Sequence, residues 1–324
     1  MERSDPAYYV MPELPEVEAA RRTVERHLLR SKITKVVVRE QGGGPRDGQI
    51  DDIVLSCADP EAEVAQFLKG KSLMAARRKG KQLYFEISGG GHLLFHFGMT
   101  GSFVVEGEVV PTYKSVKVDD TAYPPKFTKL ELQFSNGRKV AFADPRRLGR
   151  VKIIMGDPLT QEPLRKLARD PVHEGVGDDF PSRIAKFSLP IKALLLDQER
   201  VISGIGNYLA DEVLYQSGIH PKCPSSSIPA HKAQELAKVI ERVVTTACEL
   251  TASNVDFPPD WLFHYRWEKG KGERSKMPDG SLISYETVGG RTSAFVPSVQ
   301  KMTFSSAGAG AEEQPKKKKK TSKE

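Results

Sequence analysis

The sequence predicts a multidomain α+β protein, in which an N-terminal helix and a β-sandwich precede a helical domain. Three observations predict it: the length, a change of hydrophobic period near mid-chain, and an Asn-Gly hairpin signal in the first half. The 324 residues correspond to roughly two domains at about 100–200 residues each. With 39% hydrophobic and 28% charged residues, the composition is globular and excludes disordered and fibrous classes.

Each element has a local reason. Leu14-Pro15-Glu16 opens a helix, with proline in the first turn and a carboxylate at the positive end of the dipole. Val17, Ala20, Val24 and Leu28 then recur at three- and four-residue steps, one buried stripe reaching about Leu29. Ile33–Val38, Leu83–Ile87 and Leu93–Val105 are β-branched or alternating runs separated by turn residues. Asn136-Gly137, between Leu130–Phe134 and Lys139–Phe142, is a strong hairpin signal. After a proline-punctuated stretch (157–181) the period becomes helical: Ile191–Gln198, Asn207–Gln216 and His231–Leu250 read as helices. From Asp256 the chain turns aromatic and basic, and 303–324 is small, polar and charged, the composition of a disordered tail.

Several classes are excluded. No apolar run approaches the ~18 residues of a membrane-spanning helix. Glu2, Arg3, Asp5 and Pro6 rule out a secretory signal. Cys57, Cys223 and Cys248 lie far apart, so neither a disulfide framework nor a cysteine zinc site is available, and a reducing compartment is expected. His92 and His96 would share a helix face, but their run reads as strand and lacks the acidic partner of H-E-x-x-H. No metal is assigned there.

The net charge of +7 looks like a nucleic-acid signature. Of it, +5 falls on the last ten residues, which hold six Lys and one Glu. The first eleven carry −1, which leaves +3 on residues 12–314. Placement of those charges, and not their total, has to carry any DNA reading.

Four constellations could hold chemistry. In Met11-Pro12-Glu13-Leu14-Pro15-Glu16-Val17-Glu18, the plain reading is a proline-rich entry to an acidic helix end. In the functional one, removal of Met11 leaves Pro12 with a secondary amine of pKa near ~8, partly nucleophilic at neutral pH, beside Glu13 and Glu16 for acid–base work. Ser203-Gly204-Ile205-Gly206-Asn207 opens a helix and is either an anion site of free N–H groups or a tight turn. Arg77-Arg78-Lys79-Gly80-Lys81 and Asp144-Pro145-Arg146-Arg147-Leu148-Gly149 place adjacent cations at strand ends, for phosphate contact or plain solvation. Phe263–Lys276 mixes aromatic and basic residues, with a net charge of +3.

Taken together, MPELPEVE (11–18), RRKGK (77–81), HFGMTG (96–101), DPRRLG (144–149), LLLDQERVISGIGNYLADEVLY (194–215) and GGRTSAFVPSVQ (289–300) resemble the formamidopyrimidine-DNA glycosylase family. The resemblance implies a division into a leader (1–11), a catalytic β-sandwich domain (12–155) and a linker (156–181). A helix-two-turns-helix DNA-binding domain (182–255), a lesion loop with a β-hairpin finger (256–303) and a basic tail (304–324) would follow. It further implies excision of oxidised purines from duplex DNA, followed by β,δ-elimination at the abasic site. Pro12 would attack C1′ as Schiff-base nucleophile, with Glu13 as acid–base partner and Glu16 in support. Lys81 and Asn207, with Gly206, would bind phosphate, while Lys192 and Glu212 would serve lesion handling and the surroundings of the terminal amine. Met99, Arg146 and Leu148 would fill the gap left by the flipped base, a physical requirement because extrusion costs a few kcal/mol. The implied partner is double-stranded DNA with oxidised bases or abasic sites, bound by a monomer without cofactor.

Three departures stand out. The finger's last cysteine-pair positions read Val296 and Val299 with no cysteines before them, so the finger is of the zincless type, with Arg291 as its minor-groove arginine. Leu148 stands where the family usually has Phe, and 265–288 differs from the bacterial lesion-capping loop, leaving the choice between 8-oxoguanine and formamidopyrimidines open. Lastly, while residues 1–11 remain attached, Pro12 is a tertiary amide with no basic lone pair, so the active polypeptide is expected to start after Met11. Pro315–Lys320 reads as a nuclear import signal.

Overall fold

The computed structural model describes residues 12–108, 122–267 and 275–304; the leader, half of the Phe263–Lys276 segment (268–274) and the basic tail lie outside them. Helix α1 (Leu14–Leu28) leads into strand β1 (Ile33–Val37). Two short helical pieces follow, α2 (Asp52–Leu55) and a π-turn at 61–65 that continues into α3 (Gln66–Leu68). Then come β2 (Leu73–Lys79), β3 (Gln82–Ile87), β4 (His92–His96), β5 (Ser102–Val105), β6 (Thr128–Phe134), β7 (Lys139–Ala143) and β8 (Arg150–Ile154).

These strands form two four-stranded antiparallel sheets, β1-β6-β7-β5 and β2-β3-β4-β8. Their inner faces close on an aromatic cluster: Phe95 stands 4.9 Å from Phe85 and 4.7 Å from Phe103, and Phe103 5.4 Å from Phe142. The run Leu93–Val105, which reads as continuous strand, is broken at 97–101. Gly101 N–H donates to Phe97 O (2.8 Å), and the chain leaves one sheet there for the other. The loop 144–149 makes the same crossing, from β7 to β8. Because β4 pairs with β8 and β5 with β7, the two crossings lie side by side at one end of the sandwich.

Sequence periodicity missed β2 and β8. In β2, Arg78 points inward at 4% exposure, so polarity no longer marks the solvent face.

The second half holds α4 (Phe180–Ala185), α5 (Ile191–Leu196), α6 (Asn207–Gln216) and α7 (Ala230–Glu249), then the hairpin β9 (Ser284–Val288) and β10 (Arg291–Phe295). Val213, Leu214, Leu236, Ile240 and Val244 build its core. Leu14 packs into this core, whereas Val17, Val24 and Leu28 pack into the sandwich, so α1 serves both halves. Val296, one of the two cysteine-pair positions, is fully buried against Leu262, Met277 and Ile283, while Val299 is 39% exposed. Apolar packing occupies the inner position of the finger. Among the described residues no helix is long and apolar enough to cross a membrane.

Candidate active site

The site is built where the start of α1 meets the start of α6. Pro12 is buried, and the adjacent Glu13 carboxylate accepts hydrogen bonds from the N–H groups of Gly206 (2.7 Å), Tyr208 (2.9 Å) and Leu209 (3.3 Å). These are the free donors of a helix N-terminus, aligned with the positive end of its dipole. The two glycines serve this contact. A Cβ on Gly206 would collide with the Glu13 side chain, and one on Gly204 (φ +92°) with Leu14. Leu14 N–H in turn donates to Gly204 O (3.1 Å).

This corrects one expectation. Gly206 does not offer its N–H to a DNA phosphate, because the anion at the start of α6 is the protein's own Glu13. Asn207, the next residue, remains half-exposed, and its Oδ1 has no hydrogen-bond partner among the described residues.

Glu16 extends the arrangement one turn along α1. Its carboxylate accepts from Glu13 N–H (2.8 Å) and from the Tyr208 hydroxyl (2.8 Å). Burial, together with the neighbouring Glu13 charge, lifts its pKa from 4.5 to about 7. Burial also raises Glu13, against the opposing pull of Lys81 and the three α6 N–H groups. Lys81 is lowered by desolvation and by the Arg291 charge, with Glu13 and Glu16 pulling it back up. Lys81 thus lies within the field of both glutamates and of Arg291, and it makes no ion pair within 4.0 Å among the described residues. Arg291, exposed at the start of β10, is carried there by a hairpin whose Gly289 packs near Ala193 of α5.

The three gap-filling candidates come together on the paired crossing loops. Met99 is half-buried in the first, while Arg146 and Leu148 are exposed in the second, Leu148 at 40%. Asp144, fully buried, accepts from the Thr100 hydroxyl (2.6 Å), Arg146 N–H (3.2 Å) and Gly149 N–H (2.6 Å). One carboxylate therefore ties both loops into a single projection.

Lys192, expected to bind DNA in handling the lesion, needs correction. It is 0% exposed; its Nζ donates to Asp211 Oδ1 (2.5 Å) and Thr292 O (3.3 Å). Asp211 also receives Arg266 (2.5 Å) and Ala294 N–H (3.0 Å). The lysine pins α5 to α6 and the hairpin. Glu212 is likewise buried and structural: it accepts from Phe263 N–H (2.9 Å) and Gln216 Nε2 (2.8 Å), and burial lifts its pKa to about 7.

Sequence reasoning missed three groups. Arg78, grouped with the surface cations, is buried between Glu18 (3.0 Å) and Asp170. Asp170 also accepts Gly80 N–H (2.7 Å) and so fixes the turn that presents Lys81. His96, at the end of β4, has its pKa lowered by burial and then by the Lys81 and Arg150 charges, which places it on the Lys81 side of the cleft. Arg78 was legible as a motif member; its pairing was not, since Asp170 lies ninety-two residues away.

Two buried carboxylates at the root of a helix, a cationic rim and a projecting wedge define a cleft suited to an extended polyanion. Known proteins agree. Residues 11–151 match the formamidopyrimidine-DNA glycosylase N-terminal domain and residues 167–258 the H2TH domain of the same enzymes. The chain is 38% identical to the formamidopyrimidine-DNA glycosylase of Arabidopsis thaliana, over 95% of this chain and 75% of that one. Its identity to the enzyme of a Nocardioides species is 33%, over 73% and 74%. The structure is similar to that of the Lactococcus lactis enzyme bound non-covalently to DNA containing an AP site, with TM-score 0.69 and 26% identity over 89% of this chain and 99% of that one. It is equally similar to MutM in complex with DNA containing carbocyclic 8-oxo-G, with TM-score 0.69 and 26% identity over 90% and 100%. The chain belongs to the formamidopyrimidine-DNA glycosylase family and is an enzyme of that class.

Proposed function

We propose that this enzyme excises oxidised purines from duplex DNA and cuts the resulting abasic strand, with Pro12 as the nucleophile. The observation that carries the reading is the seating of Glu13, the residue after Pro12, on the α6 N-terminus with Lys81 beside it. Once its amine is free, Pro12 attacks C1′ of the damaged nucleotide, the base departs, and an iminium forms between the proline nitrogen and C1′. Glu13, whose burial favours the protonated carboxyl, supplies a proton to the sugar ring oxygen. Lys81 and Asn207 hold the flanking phosphates, and Met99, Arg146 and Leu148 occupy the gap in the stack. Successive β- and δ-elimination then leaves a one-nucleotide gap.

The chemistry requires the Met11–Pro12 bond to be broken. Borohydride trapping on a duplex containing 8-oxoguanine tests both points. A polypeptide that starts at Pro12 is expected to give a covalent adduct, and the 324-residue chain none. An adduct formed by chain whose intact mass retains residues 1–11 would overturn the nucleophile, and tight binding without adduct in either form would make the protein a lesion binder. Adducts on thymine glycol in place of 8-oxoguanine would move the specificity to oxidised pyrimidines. For the tail we propose nuclear import through Pro315–Lys320; a fluorescent fusion should leave the nucleus when Lys316–Lys320 are changed to alanine, and unchanged distribution would refute this.

A further inference from the structure

Arg147 lies between Arg146 and Leu148 but is oriented differently. Its neighbours are exposed, whereas its guanidinium turns back into the sandwich and grips Asp51 with two hydrogen bonds, Nε to Oδ2 (2.7 Å) and Nη2 to Oδ1 (3.1 Å). Asp51 is 1% exposed; it caps α2 by accepting from Val54 N–H (3.2 Å) and faces Lys129 Nζ at 3.3 Å. Lys129, equally buried, pairs with Glu40. Two acids and two bases thus balance, and burial of Asp51 is outweighed by Arg147, Val54 N–H and Lys129, which hold its carboxyl below the usual range. The backbone at Arg147 has φ +57°, a left-handed conformation that a residue with a Cβ adopts only when surrounding contacts hold it. That turn is packed against the other loop, since a Cβ on Gly98 would collide with Leu148 backbone.

We propose that Asp51 is a positioning residue for the wedge: its grip on Arg147 maintains the left-handed turn that projects Arg146 and Leu148 into the space left by a flipped base. The inference rests on the base-excision reading above. Without the grip, Arg147 relaxes toward the ordinary α or β regions, and both neighbours swing away from the loop that carries Met99. Bidentate pairing suits the task, because a planar guanidinium on two carboxylate oxygens fixes direction as well as distance.

The test compares the enzyme with free Pro12, its Asp51→Ala variant, and the double variant Asp51→Ala, Arg147→Gly. Glycine takes positive φ without a Cβ penalty, and the double change leaves Lys129 and Glu40 as a balanced pair. Wedge insertion is read without chemistry, from the fluorescence rise of 2-aminopurine placed opposite a tetrahydrofuran abasic analogue in duplex DNA. Excision of 8-oxoguanine from duplex and cleavage of a preformed abasic site in single-stranded DNA are read alongside; the single strand has no opposite base to be replaced. Asp51→Ala is expected to lose the fluorescence rise and to slow duplex excision about tenfold, with single-strand cleavage within about twofold of the parent; the glycine variant should recover duplex excision to within about threefold. An unchanged fluorescence rise in Asp51→Ala, an equal loss on both cleavage substrates, or no recovery with glycine would overturn the proposal. A parent enzyme that gives the rise without excising would overturn the base-excision reading and leave the positioning role intact.

Discussion

Lys81 and Lys192 show how one residue type is put to opposite uses by its surroundings. Both are lysines that the family resemblance assigns to the site, yet Lys81 faces two glutamates across the cleft while Lys192 is sealed against Asp211. Asp211 keeps Arg266, so removing Lys192 forfeits a charge-assisted hydrogen bond and leaves a cavity at a fully buried position, a loss of about 2 kcal/mol or more. Lys192→Ala should therefore lower the free energy of unfolding in urea by about that amount, yet leave the slope of log K against log salt for duplex binding unchanged. Arg291→Ala, in contrast, should reduce that slope by about one. Glu212 adds a pH signature. Its folded pKa of about 7 lies above the ordinary carboxyl value of 4.5, so the stability it contributes is complete below pH 4.5 and lost as pH rises through 7. The loss is on the order of 3 kcal/mol. Urea unfolding at pH 5 and pH 8 should show this decline in the parent and a smaller one in Glu212→Gln.

Among the elements, the two sheet crossings matter most. Leu93–Val105 reads as one run because, His96 apart, the residues on either side of the turn are apolar or small; only packing shows that Gly98 (φ +61°) lets the chain leave one sheet for the other. A side chain there meets both the wrong φ and the Leu148 backbone. Gly98→Ala should cost more than about 1 kcal/mol of stability and reduce duplex excision; a variant with parental stability and rate would show that the two loops are not packed as a unit. Helices α1, α5, α6 and α7 and the Asn136-Gly137 hairpin were legible because their periods are local, whereas α2, α3 and α4 span only three to six residues and show no period. The strand β2 was not legible either, since one of its three buried residues is an arginine whose partners come from α1 and from the segment before α4.

For the whole molecule, that arginine is the joint. Arg78 links Glu18 of α1 with Asp170 of the segment between the halves, and Arg22 donates to Cys248 O of α7 (2.8 Å), so α1 is tied to both cores. Arg78→Met strands the buried Asp170 carboxylate without its ion-pair partner, whereas Glu18 keeps Arg21 and Arg22. The substitution should cost about 4 kcal/mol, and calorimetry should resolve the sandwich and the helical half into separate transitions. A single transition with unchanged midpoint would show that the apolar contacts of α1 suffice.

The sequence by itself determined the α+β class, the longer helices with their periods, the hairpin turn and the motifs that hold Pro12, Glu13, Lys81, Asn207 and the wedge. These rest on neighbours within a few residues, where backbone preference and hydrophobic spacing act directly. Only the tertiary structure decided which charges face the cleft. It turned Gly206 into room for Glu13, Lys192 and Arg78 into buried struts, and Asp51 into the anchor of the wedge. Desolvation makes an unpaired charge costly wherever it is buried, and a partner nearly two hundred residues away, as Glu13 is from Tyr208, leaves no trace in local sequence.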